Sequence, residues 1–97
     1  MRIISKGILR EFWERHSDSE QQLKSWYKEI SDSLFKSPID IKIVYPNASI
    51  LQDNRVVFNI KGNKYRIIVK VSYKYAMIWI RFVGTHAEYD KVDANKI

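Results

Sequence analysis

Apolar residues in the first 45 positions recur every three or four residues, which predicts helices that each bury one side. The first helix is predicted to end at residues 16–19 (His-Ser-Asp-Ser), which interrupt its apolar stripe, and we expect Ser5 to cap its first turn. A second helix follows, with Asp18 or Ser19 as its cap. The two stripes consist of Ile8, Leu9, Phe12 and Trp13, and then of Leu23, Trp26, Tyr27, Ile30 and Leu34.

Two shorter elements accompany these helices. Ser37 and Pro38 predict the start of a third helix with proline at its first position, running toward Tyr45 and ending before Pro46. Residues 2–4 (Arg-Ile-Ile) are a candidate short strand.

From Asn54 onward the pattern becomes alternating and is punctuated by turn residues, which predicts antiparallel strands joined by hairpins. Gly62 and Asn63 form a favourable hairpin turn, and a second turn is expected at 73–75. The predicted strands are 55–61, 64–72 and 76–83.

These elements predict one domain over residues 1–97, of class α+β. The helical part spans 5–45, and its helices are expected to pack on one face of a small, mainly antiparallel sheet at 55–83. A C-terminal segment, 84–91, follows the sheet, and the only candidate tail begins after Tyr89.

The two turns predict which residues oppose each other in the sheet. We pair Lys61 with Lys64 across the first turn and Tyr73 with Ala76 across the second. The resulting opposed pairs are Asn59 with Arg66, Val57 with Ile68, Ile68 with Arg81, and Lys70 with Trp79.

This register separates an apolar face from a basic one. The face expected to pack on the helices carries Val56, Phe58, Ile60, Tyr65, Ile67, Val69, Val71, Ile78, Ile80 and Phe82. The other face carries Arg55, Asn59, Lys61, Lys64, Arg66, Lys70 and Arg81, interspersed with Val57, Ile68, Met77, Trp79 and Val83. It is either a solvated basic surface or a footprint for a phosphate backbone, with Trp79 or a tyrosine available to stack on bases.

The net positive charge favours a polyanionic partner, and most of that charge lies in the second half of the chain. The net charge is +6, and the pI is near 9.6. Residues 1–50 carry eight cations against seven anions, whereas residues 51–97 carry nine against four. Without cysteine there is no disulfide scaffold, and without a long apolar run we expect a soluble, cytoplasmic protein and no membrane contact.

Few residues of the chain are candidates for metal binding or catalysis. The two histidines are far apart in sequence, and we interpret His16 as a helix-end residue, so we expect no metal site and no cofactor. The segment 81–90 is different, because it bends at Gly84 and then brings His86 and Tyr89 beside the basic face. Metal-free RNA cleavage needs a base, an acid and cations that stabilise a phosphorane, and these residues supply all three types.

Four segments of the chain resemble the HigB toxins of bacterial type II toxin–antitoxin systems. These are residues 2–6 (RIISK), 26–28 (WYK), 54–66 (NRVVFNIKGNKYR) and 81–90 (RFVGTHAEYD). The resemblance implies a RelE/ParE-like toxin fold and cleavage of mRNA, usually in the ribosomal A site beside rRNA. It also implies neutralisation by a HigA-type antitoxin with a helix-turn-helix, and operator DNA would be bound only through the toxin–antitoxin complex.

The same resemblance assigns candidate roles to residues. Arg66 and Arg81 would stabilise the phosphorane, and Tyr89 or His86 would transfer protons, with the division between these two open. Lys64, with Lys61, would hold flanking phosphates or lower the pKa of the base. The candidate RNA-binding residues are Arg55, Asn59, Lys61, Lys64, Lys70 and Trp79.

Two alternatives remain open from the sequence. One is a non-nuclease poison on the same scaffold that binds gyrase or the ribosome, and the other is an RNA-binding module without catalysis. Glu88 and Asp90 are unexpected near a polyanion, and they face away, pair with Arg or Lys, or contact the antitoxin.

Overall fold

The computed structural model describes all of residues 1–97 and consists of a five-stranded sheet and four helices. The strands are β1 Arg2–Ile4, β2 Ser49–Ile50, β3 Arg55–Ile60, β4 Tyr65–Ser72 and β5 Met77–Thr85. The helices are α1 Lys6–Arg15, α2 Glu20–Ser31, α3 Pro38–Val44 and α4 His86–Tyr89, with a single 3-10 turn at Ser17–Ser19. The sheet order is β1-β5-β4-β3-β2, and only β1 is parallel to its neighbour, which confirms the α+β class and the mainly antiparallel sheet.

The helices lie where the apolar stripes predict them, and Ser5 and Ser19 occupy the predicted N-cap positions, but neither makes a side-chain cap hydrogen bond. Ser5 precedes α1 with φ 74° in the left-handed region, and its hydroxyl makes no cap hydrogen bond. Ser19 precedes α2 and donates its hydroxyl to the carbonyl of His16 at 2.6 Å. Asp18 lies in the 3-10 turn and bonds to the sheet instead of capping α2. No helix combines the length and hydropathy that would let it cross a bilayer.

One face of the sheet is covered by the helices and forms the core with them. Leu9 and Phe12 of α1 and Leu23 of α2 are buried against it. Burying a large apolar side chain of this kind stabilises the fold by about 1.5–3 kcal/mol. The sheet contributes the residues predicted for this face apart from Phe82: Val56, Phe58, Ile60, Tyr65, Ile67, Val69, Val71, Ile78 and Ile80.

The first hairpin has the predicted register. Asn59 lies opposite Arg66, and Val57 lies opposite Ile68. Gly62 adopts φ 67° in the turn, where glycine pays no steric penalty.

The second hairpin departs from the prediction halfway along, because β5 contains a bulge. Val69 lies opposite Ile80 and Lys70 opposite Trp79, as predicted, but Ile68 lies opposite Phe82. The predicted pair of Ile68 with Arg81 is therefore wrong, since Arg81 is the extra residue in the ladder.

The bulge exchanges the two faces for the rest of β5, because side chains alternate along a strand. Phe82 moves to the face opposite the helices, and Val83 packs against the core. Both positions are the reverse of those predicted from unbroken alternation.

The face opposite the helices, which we call the outer face, is partly covered. Val57 and Ile68 lie on it and yet are 2% and 0% exposed. The Nε of Arg55 donates to the carbonyl oxygen of Ile97 at 2.9 Å, so the chain after α4 folds back across this face. The candidate tail after Tyr89 forms no helix or strand, but its last residue contacts the sheet.

Gly84 allows a close approach at the end of β5. A Cβ atom at this position would collide with the ring of Phe82 and lie 3.2 Å from the Cβ of Glu88 in α4. Gly7 in α1 is the opposite case, because a Cβ there meets nothing within 4 Å.

We predict that Gly84→Ala lowers the free energy of unfolding by about 1–3 kcal/mol, because the Phe82 ring must shift. Gly7→Ala is the matched control, and it should raise that free energy by about 0.5–1 kcal/mol because alanine favours the helix. Urea unfolding followed by circular dichroism measures both. Equal stability of Gly84→Ala and wild type would contradict the close packing inferred here.

Candidate active site

Helix α4 is capped at its N-terminus and is joined to the β3–β4 hairpin by one backbone hydrogen bond. Thr85 caps it, since its hydroxyl accepts from the Glu88 N–H at 3.2 Å and its own N–H donates to the Glu88 carboxylate at 2.8 Å. The backbone hydrogen bond from Thr85 is the main cause that lowers the pKa of Glu88. The N–H of His86 then donates to the carbonyl of Lys64 at 3.1 Å, which joins the C-terminal segment to the hairpin.

His86 is held by a carboxylate of the same helix. Its Nδ1 lies 3.0 Å from Oδ2 of Asp90, one helical turn further on, and both side chains are more than half exposed. When Asp90 bonds to Nδ1, Nε2 is left for a ligand. Asp90 thus pairs with the histidine, and Glu88 serves as a helix cap.

Tyr89 and Arg66 form a second contact between α4 and the hairpin. The guanidinium carbon lies 5.4 Å from the centre of the Tyr89 ring, in a cation–π arrangement. The guanidinium of Arg66 also donates to the carbonyl of Asn63 at 3.2 Å. A cation and a phenol are thereby placed side by side.

Asp18 is the residue that the sequence analysis missed, since it was treated only as a cap. Its carboxylate accepts short hydrogen bonds from the Nζ of Lys64 and the hydroxyl of Tyr65, and the Nζ of Lys61 lies 3.6 Å away. These bonds, first that of Lys64 and then that of Tyr65, lower the pKa of Asp18 to about 2. The hydrogen bond between Lys64 and Asp18 also raises the pKa of Lys64. The pKa of Tyr65 is raised mainly by its burial.

A cleft of about 600 Å³ opens between the 3-10 turn and α4. Lys64, His86 and Asp18 line it, together with Arg15 and His16. The ring of His16 stacks on Phe12 at 4.4 Å, so this helix-end residue also forms part of the cleft wall.

The remaining candidate residues are spread over the sheet. Arg81 is exposed at the bulge, about 10 Å along the strand from the position opposite Arg66. Lys70 lies 3.8 Å from Asp53, and its neighbour Trp79 is half-buried beside β1. These residues do not converge with the cleft.

Arg55 and Asn59 are occupied by other parts of the chain. Arg55 is 8% exposed and pairs with Asp53 at 3.0 Å, so its predicted place on an exposed basic face is wrong. Asn59 donates its side-chain amide to the carbonyl of Asn47 at 3.2 Å. No group of three or more His, Cys, Asp or Glu side chains is arranged to hold a metal ion.

Comparison with known proteins gives consistent matches. The family model described as HigB_toxin, RelE-like toxic component of a toxin-antitoxin system, matches residues 19–92. The mRNA interferase toxin HigB of Escherichia coli (strain K12) is 30% identical over 92 residues, which cover 93% of this chain and 88% of that protein. The mRNA interferase HigB of Escherichia coli O6:H1 is 27% identical over 94 residues, covering 95% and 91%.

We predict that Asp18 contributes to stability only above very acidic pH. Because its pKa falls from 3.8 to about 2 on folding, the contribution is complete above pH 3.8 and is lost as the pH falls toward about 2. Asp18→Asn should therefore show a weaker pH dependence of its urea midpoint in this window, and carbon NMR titration of the carboxyl should give the low pKa directly. Asp32→Asn, which breaks only an exposed pair with Lys28, should keep the wild-type dependence. An ordinary pKa for Asp18 would contradict the ion pair.

Proposed function

Because this chain belongs to the HigB toxin family, the RelE-like toxic components of toxin–antitoxin systems, we propose that it is an mRNA interferase. The resemblance recognised in the sequence is confirmed by the family match and by relatives named mRNA interferase HigB. The activity proposed is metal-independent endoribonuclease cleavage that stops translation.

The observation that carries the proposed mechanism is the hydrogen bond from His86 to the carbonyl of Lys64. It brings a histidine and a tyrosine of the C-terminal segment to the end of the sheet where hairpin lysines and Arg66 already lie. Cations and proton-transfer groups on either side of one edge suit an extended RNA strand better than an isolated small substrate.

The chemistry would use the RNA's own 2′-hydroxyl as nucleophile. Its oxygen attacks the adjacent phosphorus, the P–O5′ bond breaks, and the products carry a 2′,3′-cyclic phosphate and a 5′-hydroxyl. One protein group accepts the 2′-hydroxyl proton, and another donates a proton to the departing 5′-oxygen. Arg66 would stabilise the charge on the phosphorane, and Lys61 and Lys64 would bind the flanking phosphates. The family resemblance gives Arg81 the same role, but because its position lies about 10 Å along the strand and outside the cleft, its long side chain would have to reach the phosphate.

His86 and Tyr89 are the proposed proton-transfer groups. The pairing with Asp90 orients the imidazole of His86. The phenol of Tyr89 lies beside the guanidinium of Arg66, where a phosphate bound to this arginine would come close to it.

The finer partners are proposed from the family. A HigA-type antitoxin with a helix-turn-helix would neutralise the toxin, and only their complex would bind operator DNA. Cleavage would take place in the cytoplasm on messages in the ribosomal A site, where the net charge of +6 favours contact with both mRNA and rRNA.

We predict that Arg66→Ala and Arg81→Ala each reduce cleavage by roughly 100-fold or more, because each removes a cation that stabilises the phosphorane. Arg2→Ala, which removes an exposed arginine from the edge strand β1, is the matched control and should cleave normally. Primer extension on one defined mRNA in a reconstituted translation reaction, with and without ribosomes, measures the cuts.

Cuts that need ribosomes and disappear in both variants would support an A-site endonuclease. An intact message under translation arrest would overturn the nuclease and favour a poison that only binds its target. Retained cleavage by a folded double variant would remove both arginines from the mechanism.

Tyr89 can be tested more finely, because its ring and its hydroxyl can be separated. Tyr89→Phe keeps the ring beside Arg66, so a loss of about 100-fold or more would assign proton transfer to the hydroxyl. If Tyr89→Phe cleaves normally while Tyr89→Ala and His86→Gln do not, the ring only positions Arg66 and the histidine transfers the proton. All variants are compared in the same primer-extension assay.

A further inference from the structure

A second cationic groove lies between α1 and α2, on the helical side of the molecule. We call it the α1–α2 groove, and its volume is about 410 Å³. It is lined by Lys6, Gly7, Arg10, Trp13, Lys24 and Tyr27.

The cations of this groove outnumber the acids. Lys6 lies over the ring of Tyr27 at 4.6 Å, and Lys24 lies over the ring of Trp13 at 5.3 Å. Only Lys24 has a carboxylate partner, Glu20 at 2.6 Å. Lys6 and Arg10, one helical turn apart on α1, are thus available to an anion, and their mutual repulsion would be relieved by one.

Gly7 supports the interpretation of this groove as a binding site. Glycine weakens a helix relative to alanine, and the usual reason to keep it is close packing against a neighbour. Here no atom lies within 4 Å of the place of its missing Cβ. What the glycine does achieve is an open groove wall between Lys6 and Arg10, where a ligand can approach the backbone.

We propose that the α1–α2 groove binds a nucleotide of single-stranded RNA through its phosphate. This inference rests on the proposed function, since it takes the RNA substrate as the ligand. Lys6 and Arg10 would contact the phosphate, and the space beside Gly7 would take the sugar or the base, near the rings of Trp13 and Tyr27.

An RNA strand fits the groove better than an acidic peptide for a geometric reason. The cleft wall includes Arg15 and His16, at the C-terminal end of the helix that carries Lys6 and Arg10. A helix of 10 residues is about 15 Å long. Because Arg15 follows Lys6 by roughly two and a half turns, a strand leaving the cleft would pass round α1 as well as along it to reach the groove. The groove would then hold RNA outside the site of cleavage.

The test uses a fluorescein-labelled, single-stranded RNA whose 2′-hydroxyls are methylated, so that it binds without being cleaved. Fluorescence anisotropy should show that Lys6→Gln and Arg10→Gln each weaken binding by roughly threefold to tenfold. The slope of the logarithm of the binding constant against the logarithm of the salt concentration should become shallower by about 0.7 for each lost phosphate contact. Gly7→Leu should weaken binding while raising the midpoint of thermal unfolding, because it fills the groove and favours the helix. Lys28→Gln is the matched control outside the groove and should bind like wild type.

Unchanged binding by Lys6→Gln, Arg10→Gln and Gly7→Leu would overturn the groove proposal, as would absence of binding by the wild type. Displacement by a glutamate-rich peptide at concentrations below those of free oligonucleotide would also overturn it, in favour of an acidic protein segment. Cleavage of unmodified mRNA in the translation reaction is measured in parallel. If the wild type cleaves and the groove variants bind normally, only the groove proposal fails, whereas an intact message refutes the nuclease.

Discussion

The extra residue in β5 determines on which face the candidate active site lies. Arg81 leaves the ladder, and every later side chain of the strand therefore changes face. Gly84 consequently lies opposite Arg66 and not opposite Tyr65, and its lack of a side chain lets Phe82 and α4 approach. Without the bulge α4 would leave the sheet toward the helices. The contact between Tyr89 and Arg66 thus depends on one residue that makes no ladder pair itself.

Lysines lie close together at the end of the β3–β4 hairpin, and a single carboxylate, that of Asp18, reduces the repulsion between them. Asp18 interacts with two lysines and also satisfies the phenol of Tyr65, which is buried in the core. Because Lys64 and Asp18 are both substantially exposed, solvent screens their attraction and weakens the pair. In the proposed function, an RNA phosphate would replace this carboxylate at small cost.

Local patterns in the sequence predicted the elements well, and contacts between distant segments could not be predicted in the same way. The helical stripes, the Gly62 turn and the apolar face followed from periodicities of 3.6 and 2. The bulge at Arg81 left no trace in the pattern, because an arginine at an alternating position suits an unbroken strand equally well. Asp18 and Lys64 are in contact although they lie 46 positions apart in the sequence, and no spacing rule predicts such a contact. Thr85 and Glu88 are different, since their spacing matches a capping box and could have been recognised.

The outer face restricts where RNA can bind. Val57 and Ile68 are buried on this face, and the C-terminal segment reaches it, because Arg55 is bound by Asp53 and by the carbonyl oxygen of Ile97. A phosphate that bound there would have to displace this segment and expose apolar surface, at about 25 cal/mol for each Å². The hairpin end carries no such penalty, because Lys64 and His86 line an open cleft and Tyr89 lies beside Arg66. Burial therefore favours one end of the sheet for the proposed RNA contact, even though the sequence spreads its cations along three strands.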